Sequence, residues 1–247
     1  MANRQRAEAR RKAQAKAGRS SGEGDGGSKV GVWIGLAAVI ALVVGIVVFA
    51  SSGDDSSADP SDNTSDTSGL ASLPVSQPVT VTGTPLPPFD AANNPDPAFG
   101  LDAPVLSGLN FSGETIAIDP ATEGPYMLVY LAHWCPHCNA EVPRLIDWKN
   151  SGAVPPELNV IGVATAVSES AANYPPAVWF SNKGWPWPVM VDEAQGDGAA
   201  GTAAVAYGAT GWPYFVIVGA DGKVKARVSG EVEPKDLQTI VEAALAA

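Results

Sequence analysis

A chain of 247 residues, 45% hydrophobic and 17% charged, is long enough for one or two domains and too apolar to be disordered throughout. Its formal charge of -11 is uneven, because residues 1–29 hold 8 Lys/Arg against 3 Asp/Glu and leave 7 basic against 23 acidic residues for the remainder. So acidic a surface repels phosphate backbones, which excludes nucleic acid as a natural partner, and two cysteines cannot make the framework of a disulfide-stapled module.

Residues 1–29 combine Arg, Lys and Ala with a Gly/Ser-rich end and cannot build a core. From Val30 to Ala50 run 21 residues without a charge, which at 1.5 Å per helical residue matches a hydrocarbon layer of roughly 30 Å. A buried core helix would not need the basic flank before this run or the Ser/Asp-rich flank after it. A cleavable signal peptide, with Val48 and Ala50 ahead of the cut, would have a shorter apolar stretch. The expectation is a single-pass anchor in the cell membrane. By the positive-inside rule its basic tail is cytoplasmic and the catalytic domain extracytoplasmic. Residues 51–98, rich in Ser, Asp, Thr, Pro and Gly, read as a disordered spacer.

The folded domain is expected over 99–247. Residues 103–118 suggest a short strand pair turning at Asn110 and Ser112–Gly113, and 126–132 (YMLVYLA) a buried strand. A helix is predicted over 136–150, a second buried strand over 157–165, a helix over 173–184 and a third strand over 187–192. A short helix over 199–208 ends at Gly208. Strands 214–219 and 223–230 join across Ala220–Asp221–Gly222, and a last helix begins after Glu233–Pro234. This succession predicts an α/β domain with a mixed sheet flanked by helices.

Both cysteines lie in Cys135–Pro136–His137–Cys138, after a buried strand and at the start of a helix. A thiol attacks as thiolate, and a helix N-terminus offers unpaired N–H groups and the positive end of the dipole to stabilise one. Pro136 suits the first helical position, and His137 can add a donor or positive charge beside the sulfur. The spacing predicts an exposed, attacking Cys135 and a shielded, resolving Cys138. His133, Cys135, His137 and Cys138 are too crowded for a tetrahedral metal site, so no metal is expected. Asn139 stands where a c-type haem motif needs His, and no other cofactor is implied. An inert stapling disulfide remains as the structural alternative, although so small a loop stabilises little.

The stretch from His133 to Pro143, with Trp134, Cys135, Cys138, Glu141 and Pro143 in place, resembles the active site of membrane-anchored, TlpA/ResA-like members of the thioredoxin superfamily. Tyr207–Gly208–Ala209–Thr210–Gly211–Trp212–Pro213, followed by Asp221–Gly222–Lys223, resembles that family's cis-proline loop and hairpin. The Cys-Pro-His-Cys quartet itself is similar to that of the periplasmic oxidant DsbA. The resemblance implies a thioredoxin fold, with Pro213 as the cis-proline opposite the cysteines and Glu141 as proton acceptor for Cys138. From the residues alone, without that resemblance, Glu141 reads as a solvated glutamate pairing with Arg144 at i+3. Pro143 inside the helix is expected to kink it. Two departures stand out: no acid occurs in the strand 126–132, where thioredoxin has a buried aspartate, and Trp occupies position 212 where a smaller residue is usual. Trp212, with Trp179, Trp185 and Trp187, forms either an aromatic surface for substrates or part of the core.

The expected activity is extracytoplasmic thiol-disulfide exchange with protein thiols and disulfides, in the oxidising direction, with a membrane redox partner. Two other readings stay open. One is a dedicated reductant for cytochrome maturation or for a client's thiols, and the other is a non-catalytic, redox-regulated binding module at the membrane.

Overall fold

The computed structural model describes residues 69–247. The basic tail, the apolar run 30–50 and the first part of the expected spacer lie outside the described residues. Among the described residues no helix is long and apolar enough to cross a membrane.

Eight strands form one mixed, curled sheet: β1 (Thr80–Thr82), β2 (Val105–Leu109), β3 (Thr115–Ile118), β4 (Tyr126–Leu131), β5 (Asn159–Ala164), β6 (Val189–Val191), β7 (Tyr214–Val218) and β8 (Val224–Ser229). Their order is β1-β2-β6-β5-β4-β7-β8, with β3 paired to β2. β4, β5 and β6 run parallel, while β7 lies antiparallel to β4 and β8 to β7. Among the described residues four α-helices complete the domain: α1 (Pro136–Asn150), α2 (Pro176–Lys183), α3 (Thr202–Ala206) and α4 (Pro234–Ala246). The β4-α1-β5 crossover, the β7–β8 hairpin and the closing α4 make this a thioredoxin-like α/β fold.

β4 is apolar at every position because both faces of the sheet are covered. Met127, Val129 and Leu131 pack with Val142, Leu145 and Trp148 of α1 and with Leu237 and Val241 of α4. The alternate residues Tyr126, Leu128 and Tyr130 join a second core with Ile161, Met190, Tyr207 and Tyr214. The two-residue period of a strand divides the run YMLVYL between the two cores. Each fully buried aliphatic side chain contributes about 1.5–3 kcal/mol. The second core is held polar at its centre. Tyr207 Oη donates to Pro104 O at 2.6 Å, so the 2.9 Å contact with Tyr126 must be donated by Tyr126.

The described part of the expected spacer, 69–98, is not a free linker. β1 pairs with β2, and Val79, Leu86 and Ala98 are buried. Leu86 N–H donates to Ala206 O and Phe89 N–H to Gly208 O, both at 2.8 Å, which lays the segment across the end of α3. Arg227 of β8, its side chain fully buried, ties down the rest by pairing with both carboxylate oxygens of Asp96 and donating to Pro87 O at 2.7 Å. Gly208 has φ +73, and a Cβ there would stand 2.3 Å from Pro87 O, so the crossing requires glycine. In the β7–β8 hairpin, Gly222 takes φ +74, as expected from its place in the turn.

Candidate active site

β4 delivers the chain to the N-terminus of α1. Cys135 is the helix N-cap, with extended φ/ψ of -69° and 122°, and Pro136 is the first helical residue, where its missing N–H leaves nothing unsatisfied. Along α1 the buried residues are Cys138, Glu141, Val142, Leu145 and Trp148. That i, i+3, i+4, i+7 stripe faces the sheet and carries Cys138 and Glu141 together into the interior. Pro136 and His137 lie on the opposite, exposed side.

Both cysteines are free thiols. Cys135 is not exposed as expected: 5% of it is accessible, against 0% for Cys138. The cause is the loop opposite, where Trp212–Pro213 is a cis peptide and Trp212 O lies 3.5 Å from Cys135 Sγ. Trp134 and Trp212, each half-buried, pack against the same core. The order of access survives, with Cys135 the outer sulfur. Burial pushes the Cys138 thiol well above the usual range, and the neighbouring Cys135 and Glu141 add to the shift.

Glu141 is completely buried, which removes the solvated reading. Its Oε2 accepts the Val232 N–H at 3.1 Å and faces Arg144 at 3.4 Å, while Oε1 has no partner among the described residues. Burial raises its proton affinity; the Val232 and Arg144 bonds oppose this without cancelling it. Glu231, in the segment between β8 and α4, was not singled out by the sequence. Its Oε1 accepts His137 Nδ1–H at 2.7 Å and its Oε2 accepts Arg144 at 2.6 Å. Those two bonds hold the Glu231 carboxyl below its ordinary value, His137 contributing first. Nothing local could have found it, since 94 residues separate it from His137.

Other side chains fix the loop geometry. Asn139 donates to His133 O and Cys135 O and accepts the Trp179 indole N–H at 2.9 Å. His133 Nε2 accepts the Ser168 N–H, so its Nδ1 carries the proton and donates to Ala172 O at 2.9 Å. Burial lowers its proton affinity, in keeping with a neutral ring. Trp134 donates to Ala166 O at 2.6 Å. Pro143 cannot donate to the carbonyl four residues back, and Lys183 Nζ reaches that freed Asn139 O at 3.2 Å. Trp179 is 3% exposed and belongs to the core, whereas Trp185 and Trp187 are half-buried and meet edge to face with 5.0 Å between ring centroids. Among the described residues no group of three or more His, Cys, Asp or Glu is placed to hold a metal ion.

This arrangement supports two-electron sulfur chemistry: an outer thiol at a helix N-terminus, an inner thiol one turn later, and a buried carboxyl on the same helix face. Several solved structures are similar to the chain, three of them as follows. A thiol:disulfide interchange protein of the thioredoxin family from Chlorobium tepidum is 24% identical, covering 59% of this chain and 96% of its own, with a TM-score of 0.46. A secreted Mycobacterium tuberculosis disulfide oxidoreductase, described as homologous to E. coli DsbE, is 23% identical over 56% and 94% of the two chains, with a TM-score of 0.44. A thiol-disulfide isomerase from Corynebacterium glutamicum is 17% identical over 61% and 98%, with a TM-score of 0.48. No curated protein matches the chain. The family model described as AhpC/TSA matches residues 97–227, a span that takes in the cysteine pair, Glu141 and the cis-proline loop, and the chain belongs to the AhpC/TSA family.

Proposed function

We propose that this protein is an extracytoplasmic, membrane-anchored thiol-disulfide oxidoreductase of the TlpA/ResA-like kind that oxidises protein thiols through Cys135 and Cys138. One observation carries the reading. The outer sulfur lies at the tip of α1 against Trp212 O of the cis-proline loop, and the inner sulfur lies buried one turn on, sharing a helix face with Glu141.

In the oxidising direction a substrate thiolate attacks Cys135 Sγ of the Cys135–Cys138 disulfide. The electron pair of the breaking S–S bond leaves on Cys138 Sγ, which takes a proton from the Glu141 carboxyl. A second substrate thiolate then attacks the substrate sulfur of the mixed disulfide, forming the substrate's own disulfide and releasing Cys135 as thiolate. The pair gains two electrons, and an oxidised membrane partner with a disulfide or quinone acceptor removes them. A carboxyl whose proton affinity is raised by burial can give the proton in this direction and take it back in the other. Trp134, Pro136 and His137 tune the sulfur, and Trp212 and Pro213 border the bound substrate.

The oxidising direction rests on the place of Cys135 at the N-terminus of α1 and of His137 between the cysteines, where the helix dipole and an imidazole donor face the reduced pair rather than the disulfide. The Glu231 carboxylate 2.7 Å from His137 acts the other way and favours the dedicated-reductant reading. The extracytoplasmic location rests on the uncharged run 30–50 and its basic flank.

Equilibrating the full chain with glutathione tests the direction. The expected potential lies nearer about -120 mV, as for DsbA, than about -270 mV, as for thioredoxin. A disulfide that persists except under strongly reducing ratios would make the protein an electron donor. Absence of turnover in both insulin reduction and oxidative refolding would leave the non-catalytic binding module.

A further inference from the structure

Arg144 is shared unequally among three carboxylates. Its Nη1 lies 2.6 Å from Glu231 Oε2 and 3.4 Å from Glu141 Oε2, and its Nη2 lies 3.4 Å from Glu233 Oε1. Glu231 in turn uses its other oxygen to hold His137, the residue beside Cys138. One carboxylate therefore spans the dipeptide between the cysteines and the guanidinium beside the buried acid. Among the described residues Glu141 Oε1 has no partner, although Arg144 is one helical turn away.

We propose that Glu231 is a positioning residue that holds the Arg144 guanidinium off Glu141, and so keeps Glu141 free to exchange a proton with Cys138. A guanidinium seated squarely on a buried carboxylate fixes it in its ionised form and removes it from proton transfer. The Glu231 bond prevents this while leaving Arg144 close enough to limit the cost of burying Glu141. The Glu231 charge acts in the same sense, since a second carboxylate nearby favours the protonated acid. The titratable and charged groups around Glu141 are Cys138 and Arg144 on its own helix and Glu231 and Glu233 on the segment between β8 and α4, with His137 beyond Glu231.

This inference rests on the proposed role of Glu141, and the test separates the two. Single-turnover closure of the mixed disulfide by Cys138 is followed across pH in the full chain. Glu231→Gln should move the limb that depends on Glu141 to lower pH and slow closure at neutral pH by roughly threefold to tenfold. Arg144→Met should move the same limb to higher pH, and Glu231→Asp should restore the parental profile. Glu141→Gln should abolish the limb, with Glu231→Gln adding nothing to it. The attack of Cys135 on a substrate disulfide, which His137 touches, is timed separately so that release of His137 is not mistaken for an effect on Glu141. A limb lost in Glu141→Gln but unmoved in Glu231→Gln overturns the role of Glu231 alone. A profile unchanged in Glu141→Gln overturns the role of Glu141, and this inference with it.

Discussion

Burial acts on Glu141 and Cys138 in the same direction, favouring the protonated form of each because a charge away from water is costly. For Glu141 the consequence for stability has a definite sign. A proton affinity higher in the folded than in the unfolded chain gives a stabilisation that is complete below the unfolded carboxylate range and is lost as pH rises through the folded value. Glu141→Gln removes that loss, so the stability of the variant relative to the parent should increase from pH 4 to pH 8. Thermal melts at the two pH values check it, and a constant difference would mean that the carboxyl is not held protonated. The cysteine pair and Pro136 were legible because the two-residue spacing and the place of proline at a helix start are local signals, whereas Gly211-Trp212-Pro213 by itself reads only as a turn and Pro213 was assigned through the family resemblance. The burial of Cys135 was not, since the loop that covers it arrives from 77 residues away. From its residues alone Glu141 reads as a solvated surface group, and the helix stripe it shares with Cys138 was the signal that places it in the core.

At the scale of elements, the strands and helices of 103–247 were legible from period and punctuation, and the segment before them was not. Residues 69–98 look like a linker because their apolar side chains are single and separated by Pro, Thr and Asp, so no period of 2 or 3.6 can show. What fixes them is tertiary: the Arg227 guanidinium on Asp96 and Pro87, and the glycine that lets the chain cross α3. Asp96→Ala would leave a buried guanidinium with only carbonyl partners and should cost about 3 kcal/mol, read by chemical denaturation of the full chain. A loss below about 0.5 kcal/mol would show that Asp96 is effectively a surface charge. Gly208→Ala should destabilise by a comparable amount, since it meets both the positive φ and the 2.3 Å approach to Pro87 O.

At the scale of the whole molecule, the sequence divides a basic start, an uncharged run and an acidic remainder, and that division sets the expected topology. A membrane-impermeant thiol reagent applied to intact cells should label Ser57→Cys and spare Ser20→Cys, and labelling of the second alone would reverse the orientation. The fold places the two sulfurs differently: β4 and α1 set Cys135 at the outer tip and Cys138 inside, on the helix face that also carries Glu141. The exchange mechanism stands or falls on that asymmetry. The most direct measurement is trapping in cells expressing the full chain with one cysteine replaced at a time. Cys138→Ser should accumulate mixed disulfides between Cys135 and other proteins, resolved by reductant on a gel, while Cys135→Ser should accumulate few and lose turnover. Traps that form through Cys138 in the Cys135→Ser protein, and not in the other, would contradict the account.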